Sequence, residues 1–112
     1  MSNTAATLLI VDDDVHVREL LEALLQEQGY HTLTASSGEQ ALSTVAQQQP
    51  DLILLDAMMP GTDGYQVARQ LKANSSTANI PIIMLSGQGE QSARLLGLEA
   101  GAEDFLCKPV SS

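Results

Sequence analysis

The sequence predicts one α/β domain built on a parallel, doubly wound sheet. Short apolar runs of strand length alternate with helix-period segments along the whole chain, and nothing longer than the Gln47 to Gln49 run interrupts them. The run Leu52 to Leu55 is continuously apolar, as a strand covered on both faces is, and it ends in a single carboxylate, Asp56.

Each element follows from its own pattern. Thr7 to Val11 is the first strand. Val17, Leu20, Leu21, Leu24 and Leu25 recur at i, i+3, i+4, i+7 and i+8, which predicts an amphipathic helix with these residues on the sheet, stopped by Gly29. His31 to Ala35 alternates polar and apolar residues, as an edge strand does. Ser37 with Gln40 makes a capping box that opens a helix through Ala41, Leu42 and Val45, and Pro50 marks its far side. After the Leu52 strand, Asp63 caps a helix carrying Val67, Ala68 and Leu71, and the polar stretch Asn74 to Asn79 leads into a fourth strand, Ile82 to Leu85. A helix from about Glu90 to Ala100 presents Ala93, Leu96 and Ala100 on one face and ends at Gly101; Phe105 to Cys107 is a short fifth strand.

Composition narrows the function. A chain of 112 residues fits one domain and can bury roughly two thirds of its unfolded surface. Five Lys and Arg against fourteen Asp and Glu leave a net charge of -9, which repels nucleic acid and anionic membrane and attracts cations or basic partners. The apolar runs fall far short of the ~20 residues of a membrane-spanning helix. The start MSNTAATLL lacks a signal peptide's basic residues, so the expected location is the cytoplasm. Cys107 has no second cysteine to pair with and reads as an inert, buried thiol. His16 and His31 have no ligand-like spacing and read as surface residues.

The chemistry lies in the polar residues that follow the strands. Asp12 and Asp13 follow the first, Asp56 the third, Ser86 the fourth and Lys108 the fifth. In a parallel doubly wound sheet the C-terminal strand ends share one edge, where such folds place their ligand sites, so these residues are expected to converge. An ionised group at the depth of Asp56 needs partners. Three carboxylates close together repel one another, and a hard divalent cation, Mg²⁺ or Mn²⁺, neutralises them; oxygen ligands without a His or Cys cluster point the same way. With that charge in place, Ser86 and Lys108 suit the oxygens of a phosphoryl group while Asp56 attacks phosphorus. Asp14 reads as the cap of the following helix.

In order and spacing, LLIVDDD, LILLDAMMPGTDG, PIIMLSG and GAEDFLCKP resemble the motifs of the receiver domain of two-component response regulators, across nearly the whole chain. The resemblance implies a five-stranded, flavodoxin-like sheet of order 2-1-3-4-5, with the first and fifth helices on one face and the other three opposite. It implies that Asp56 is the phosphoacceptor, that Asp13 and Asp56 bind Mg²⁺ directly and Asp12 through water, and that the backbone carbonyl of Met58 is the remaining protein ligand. Ser86 and Lys108 would hold phosphoryl oxygens, Ser86 with Phe105 would form the switch, and the Lys108–Pro109 peptide would be cis. The implied activity is phosphotransfer from a sensor histidine kinase or histidine phosphotransfer protein. The domain would catalyse only its own phosphorylation and dephosphorylation, and its population shift would be read by an output domain or protein.

Some positions depart from the family pattern. Phe105 lacks the hydroxyl of the Tyr often found there, and Gly87 stands where Ala is common. Met58 and Gln88 offer no carboxylate to orient an attacking water, which predicts a moderately long-lived phosphoform. The chain stops four residues after Lys108, where the family continues into a fifth helix. The expectation is an N-terminal receiver cut from a longer protein, with an apolar strip exposed beside the first helix that promotes self-association or a homodimer. Two other readings stay open on the residues alone. Asp12-Asp13-Asp14 contains the Asp-x-Asp of phosphatases resembling the haloacid dehalogenase group, against which the short chain argues, and a receiver-like module can act by binding without taking phosphate. No GxGxxG follows the first strand, which weakens a dinucleotide reading.

Overall fold

The computed structural model describes residues 5–59, 61, 63–86 and 99–107, and at residues 86, 105 and 107 the backbone only. Five strands, β1 (Thr7–Val11), β2 (His31–Ala35), β3 (Leu52–Asp56), β4 (Ile82–Ser86) and β5 (Asp104–Cys107), pair in parallel in the order β2-β1-β3-β4-β5. Helices α1 (Val15–Glu27), α2 (Gly38–Gln47) and α3 (Gly64–Ala73) precede β2, β3 and β4. The doubly wound sheet and its strand order are as expected, and β5 begins one residue earlier, at Asp104. The helix expected from Glu90 lies mostly outside the described residues; Ala100 is buried and Gly101 turns the chain into β5 at φ +107°.

Successive strand residues alternate between two cores. Leu9, Val11, Ile53, Leu55, Ile82 and Met84 pack with residues of α2 and α3, while Ile10, Leu54 and Leu85 pack with Leu21 of α1. Side chains such as Leu9, Ile53 and Ile82 are wholly buried, each contributing about 1.5–3 kcal/mol of transfer free energy. This is why the central strands are apolar at every position and not at every second one.

Asp14, Ser37 and Asp63 cap the three helices, accepting from the N–H groups of His16, Gln40 and Gln66. The return arm of the predicted capping box differs: Gln40 Oε1 accepts from the N–H of Ser36, one residue before the cap. The apolar stripe of α1 is also narrower than its periodicity suggests. Leu21 is buried with Val17 and Leu25 packed beside it, but Leu20 and Leu24 are 38% and 44% exposed. At roughly 100° per residue, Val17, Leu21 and Leu25 form one row, and Leu20 and Leu24 lie a row further round, past the edge of the contact. Next to α1 the sheet carries an open groove of about 360 Å³ lined by Leu8, Leu25, Tyr30, Leu52, Leu54 and Ile83.

A polar clamp fixes the sheet edge opposite the strand ends of interest. Lys72, near the end of α3, donates to the carbonyls of Ala78 and Ile80 at 3.0 and 2.9 Å and to Glu103 Oε2 at 2.7 Å. Glu103 Oε1 accepts from the N–H of Ile82 at 2.7 Å, so one lysine ties α3, the start of β4 and the approach to β5 together. Gly101 packs on the lysine stem, where a Cβ would lie 2.7 Å from Lys72 Cγ.

Candidate metal centre

The register of β1 against β3 builds the site. Leu8 faces Leu52 and Val11 faces Leu55, a constant offset, so the next step sets Asp12 beside Asp56 on the neighbouring strand. The order of strands reverses between β1 and β3, and ligand sites of open α/β sheets form at that point. Asp12 is wholly buried, Asp56 is 2% exposed, and Asp13 stands outside them in the turn to α1. Carboxylate oxygens of Asp12, Asp13 and Asp56 lie within 4.8 Å of one another.

Hydrogen bonds lock the turn that holds them. The Asp12 N–H donates to the Ala35 carbonyl at 3.1 Å, and Asp12 Oδ1 accepts from the Asp14 N–H at 2.9 Å. Asp14 itself caps α1 and is not in the cluster, as expected. The Met58 N–H donates to Asp56 Oδ1 at 3.3 Å, while its side chain is exposed. Ser86 ends β4, which pairs with β3, and its backbone faces Cys107 of β5. Its side chain and that of Phe105, together with Lys108, Pro109 and their peptide bond, lie outside the described residues. His16 and His31 are exposed, as their spacing suggested.

The donor set suits a hard cation. All three groups are carboxylates, two are out of water, and no His or Cys joins them among the described residues. Two carboxylates about 4 Å apart repel by on the order of 4 kcal/mol at an effective dielectric of about 20, so the cluster gains when a divalent cation enters it. Two contributors escaped the sequence reading. Arg18 Nη1 donates to the Asp12 carbonyl at 2.7 Å, and Gly64, the first residue of α3, lies directly against the Asp56 carbonyl. The signal for Arg18 is a lone cation near the start of a helix, where the dipole favours anions; for Gly64 it is the Asp63-Gly64 pair, in which Asp63 alone marks a cap.

Residues 8–112 match the model of the response regulator receiver domain. The chain belongs to this family. It is 47% identical over 105 residues to the phosphate regulon transcriptional regulatory protein PhoB of Pseudomonas aeruginosa, covering 94% of this chain and 46% of PhoB. Against the transcriptional regulatory protein ResD of Bacillus subtilis it is 43% identical, covering 93% of this chain and 42% of ResD. The chain thus spans about half the length of these relatives. Among solved structures, a response regulator of Chloroflexus aurantiacus superimposes with a TM-score of 0.91 at 45% identity, covering 94% of this chain and 86% of that one. The chemotaxis protein CheY4 of Vibrio cholerae gives 0.89 at 30% identity, covering 96% and 89%. Receiver domains are regulatory phosphoacceptor domains that bind Mg²⁺ at an acidic pocket, and Asp12, Asp13 and Asp56 form an acidic cluster here. Among the described residues no helix is long and apolar enough to cross a membrane.

Proposed function

We propose that this domain accepts a phosphoryl group on Asp56, in the presence of Mg²⁺ or Mn²⁺, from the phosphohistidine of a sensor histidine kinase or histidine phosphotransfer protein. The observation that carries this reading is the convergence of Asp12 and Asp13 on Asp56, a buried carboxylate at the end of a central strand. An Asp56 oxygen forms a bond to phosphorus as the N–P bond of the donor breaks, and the imidazole nitrogen keeps the electron pair and takes a proton from solvent. A carboxylate attacks phosphorus without help from a general base. Asp12, Asp13, Asp56 and the carbonyl of Met58 are the residues that would hold the cation. When bound, it supplies positive charge against the carboxylates and the phosphoryl oxygens.

Ser86 and Lys108 are assigned to the remaining phosphoryl oxygens, and Ser86 with Phe105 to the switch. Phosphorylation can bias the domain only as far as these bonds differ between its two states. The shifted surface is read by an output domain or a partner protein in the cytoplasm, and the net charge of -9 argues against direct nucleic-acid contact by this domain. Intact mass after incubation with acetyl phosphate tests the reading. One phosphoryl group is expected on the wild type with Mg²⁺, and none on Asp56→Asn or with a chelator. Uptake by Asp56→Asn, or uptake that ignores the chelator, overturns it.

A further inference from the structure

Strand β1 is flanked by β2 and β3, so its backbone groups pair on both sides as far as Val11. There the chain leaves the sheet. Asp12 is wholly buried, and a buried carbonyl needs a donor in place of water. Arg18 Nη1 supplies it at 2.7 Å, reaching back from the second turn of α1. A guanidinium bond of this length is among the stronger hydrogen bonds a carbonyl can accept. Arg18 is the one Lys or Arg in α1, and it sits toward the helix end where the dipole disfavours a cation. Its local carboxylate neighbours are Asp14 and Glu22, four residues to either side, and its hydrogen bond in the structure goes to the Asp12 carbonyl.

That bond holds the carbonyl of the peptide joining Asp12 to Asp13. Ala35 holds the Asp12 N–H, the Asp14 N–H holds Asp12 Oδ1, and Arg18 holds the Asp12 carbonyl. With this peptide fixed, the direction in which Asp13 leaves the strand is fixed too. Asp13 is the exposed member of the cluster and the one whose placement depends most on the turn. We infer that Arg18 is a positioning residue for the metal centre, holding the Asp12–Asp13 peptide so that the Asp13 carboxylate already stands beside Asp12 and Asp56 when a cation arrives. It acts through these ligands and not on the phosphoryl group, and the inference rests on the metal-dependent reading above.

Positioning and charge predict opposite signs. Loss of a nearby positive charge alone would strengthen cation binding, while release of the peptide weakens it. Mg²⁺ titrations by calorimetry on the wild type, Arg18→Met and Arg18→Lys separate the two, run at about 0.15 M and about 0.5 M KCl so that screening exposes any charge term. Arg18→Met is expected to bind Mg²⁺ about tenfold more weakly at both salt concentrations, the low end for groups that orient metal ligands. The Mg²⁺ concentration for half-maximal phosphorylation should rise in parallel, with a much smaller change in rate at saturating Mg²⁺. Arg18→Lys keeps a donor of shorter reach and should fall between, and it carries the test should Arg18→Met not fold. Wild-type or tighter Mg²⁺ affinity in these variants overturns the inference. A wild type that binds Mg²⁺ but takes no phosphoryl group overturns the phosphoacceptor reading and leaves Arg18 testable; a wild type that binds no Mg²⁺ overturns both.

Discussion

Gly64 meets Asp56 backbone to backbone: a Cβ at residue 64 would collide with the Asp56 carbonyl oxygen and come within 3.0 Å of the Ala57 Cα. The Gly64 N–H also donates to the Ala57 carbonyl at 2.9 Å, which closes the loop between β3 and α3 over the strand end. Gly64→Ala must push α3 away from β3. It is expected to lower stability by about 2 kcal/mol, within the range for overpacked sites, and to weaken Mg²⁺ binding. Urea unfolding and a Mg²⁺ titration check both; a stable variant with wild-type Mg²⁺ affinity contradicts the close approach.

On the metal-dependent reading, Asp56 repels its neighbours in the absence of a cation, so its removal should have opposite effects with and without metal. In chelator, Asp56→Asn is expected to be more stable than the wild type by about 1 kcal/mol, because one of three mutually repelling carboxylates is gone. With Mg²⁺ at ten times its Kd, the wild type should gain about 1.4 kcal/mol and the variant nothing. Urea midpoints in the two buffers measure this. Equal Mg²⁺ stabilisation of both proteins would place the cation elsewhere.

Asp14 is a cap and not a member of the acidic cluster. Asp14→Ala should cost about 1 kcal/mol of stability and leave Mg²⁺ affinity within about twofold, since the Asp14 N–H that holds Asp12 is retained. A large loss of Mg²⁺ affinity would instead make Asp14 a ligand.

The Lys72 clamp has a stability signature of its own. Lys72→Met leaves the carbonyls of Ala78 and Ile80 and the carboxylate of Glu103 without their donor, and is expected to cost about 2–3 kcal/mol. Partial burial pushes the Glu103 carboxyl up, but the Lys72 hydrogen bond, the Ile82 N–H and the Lys72 charge outweigh it and hold it below its ordinary value. A carboxyl lowered by folding stabilises the native state above its unfolded value. That contribution is lost as the pH falls below about 4.5 and through the lower folded value. Unfolding curves across that range should show a shallower acid loss for Glu103→Gln; identical slopes would mean that the clamp does not titrate.

Much of this was legible in the chain itself. Runs such as Leu52 to Leu55 specify buried parallel strands, and Asp14, Ser37 and Asp63 mark helix starts because a cap is a local interaction within three residues. The convergence of Asp12, Asp13 and Asp56 follows from strand ends sharing one edge. What stayed hidden depends on partners distant in sequence or on backbone atoms. Lys72 bonds two carbonyls and a carboxylate 31 residues away, Arg18 bonds a carbonyl, and Gly64 matters through a missing atom. Leu20 and Leu24 share the period of Leu21, but which row of a helix meets the sheet is set by how the helix docks, and periodicity alone does not encode that.

The most direct test of the central claim is to locate the phosphoryl group. Reduction of the phosphorylated domain with borohydride converts an aspartyl phosphate to homoserine, which peptide mass spectrometry places by residue. The expected result is homoserine at position 56 alone, formed only when Mg²⁺ was present. Homoserine at Asp12 or Asp13, or a phosphoryl group that borohydride does not convert, would contradict the assignment of Asp56 as the acceptor.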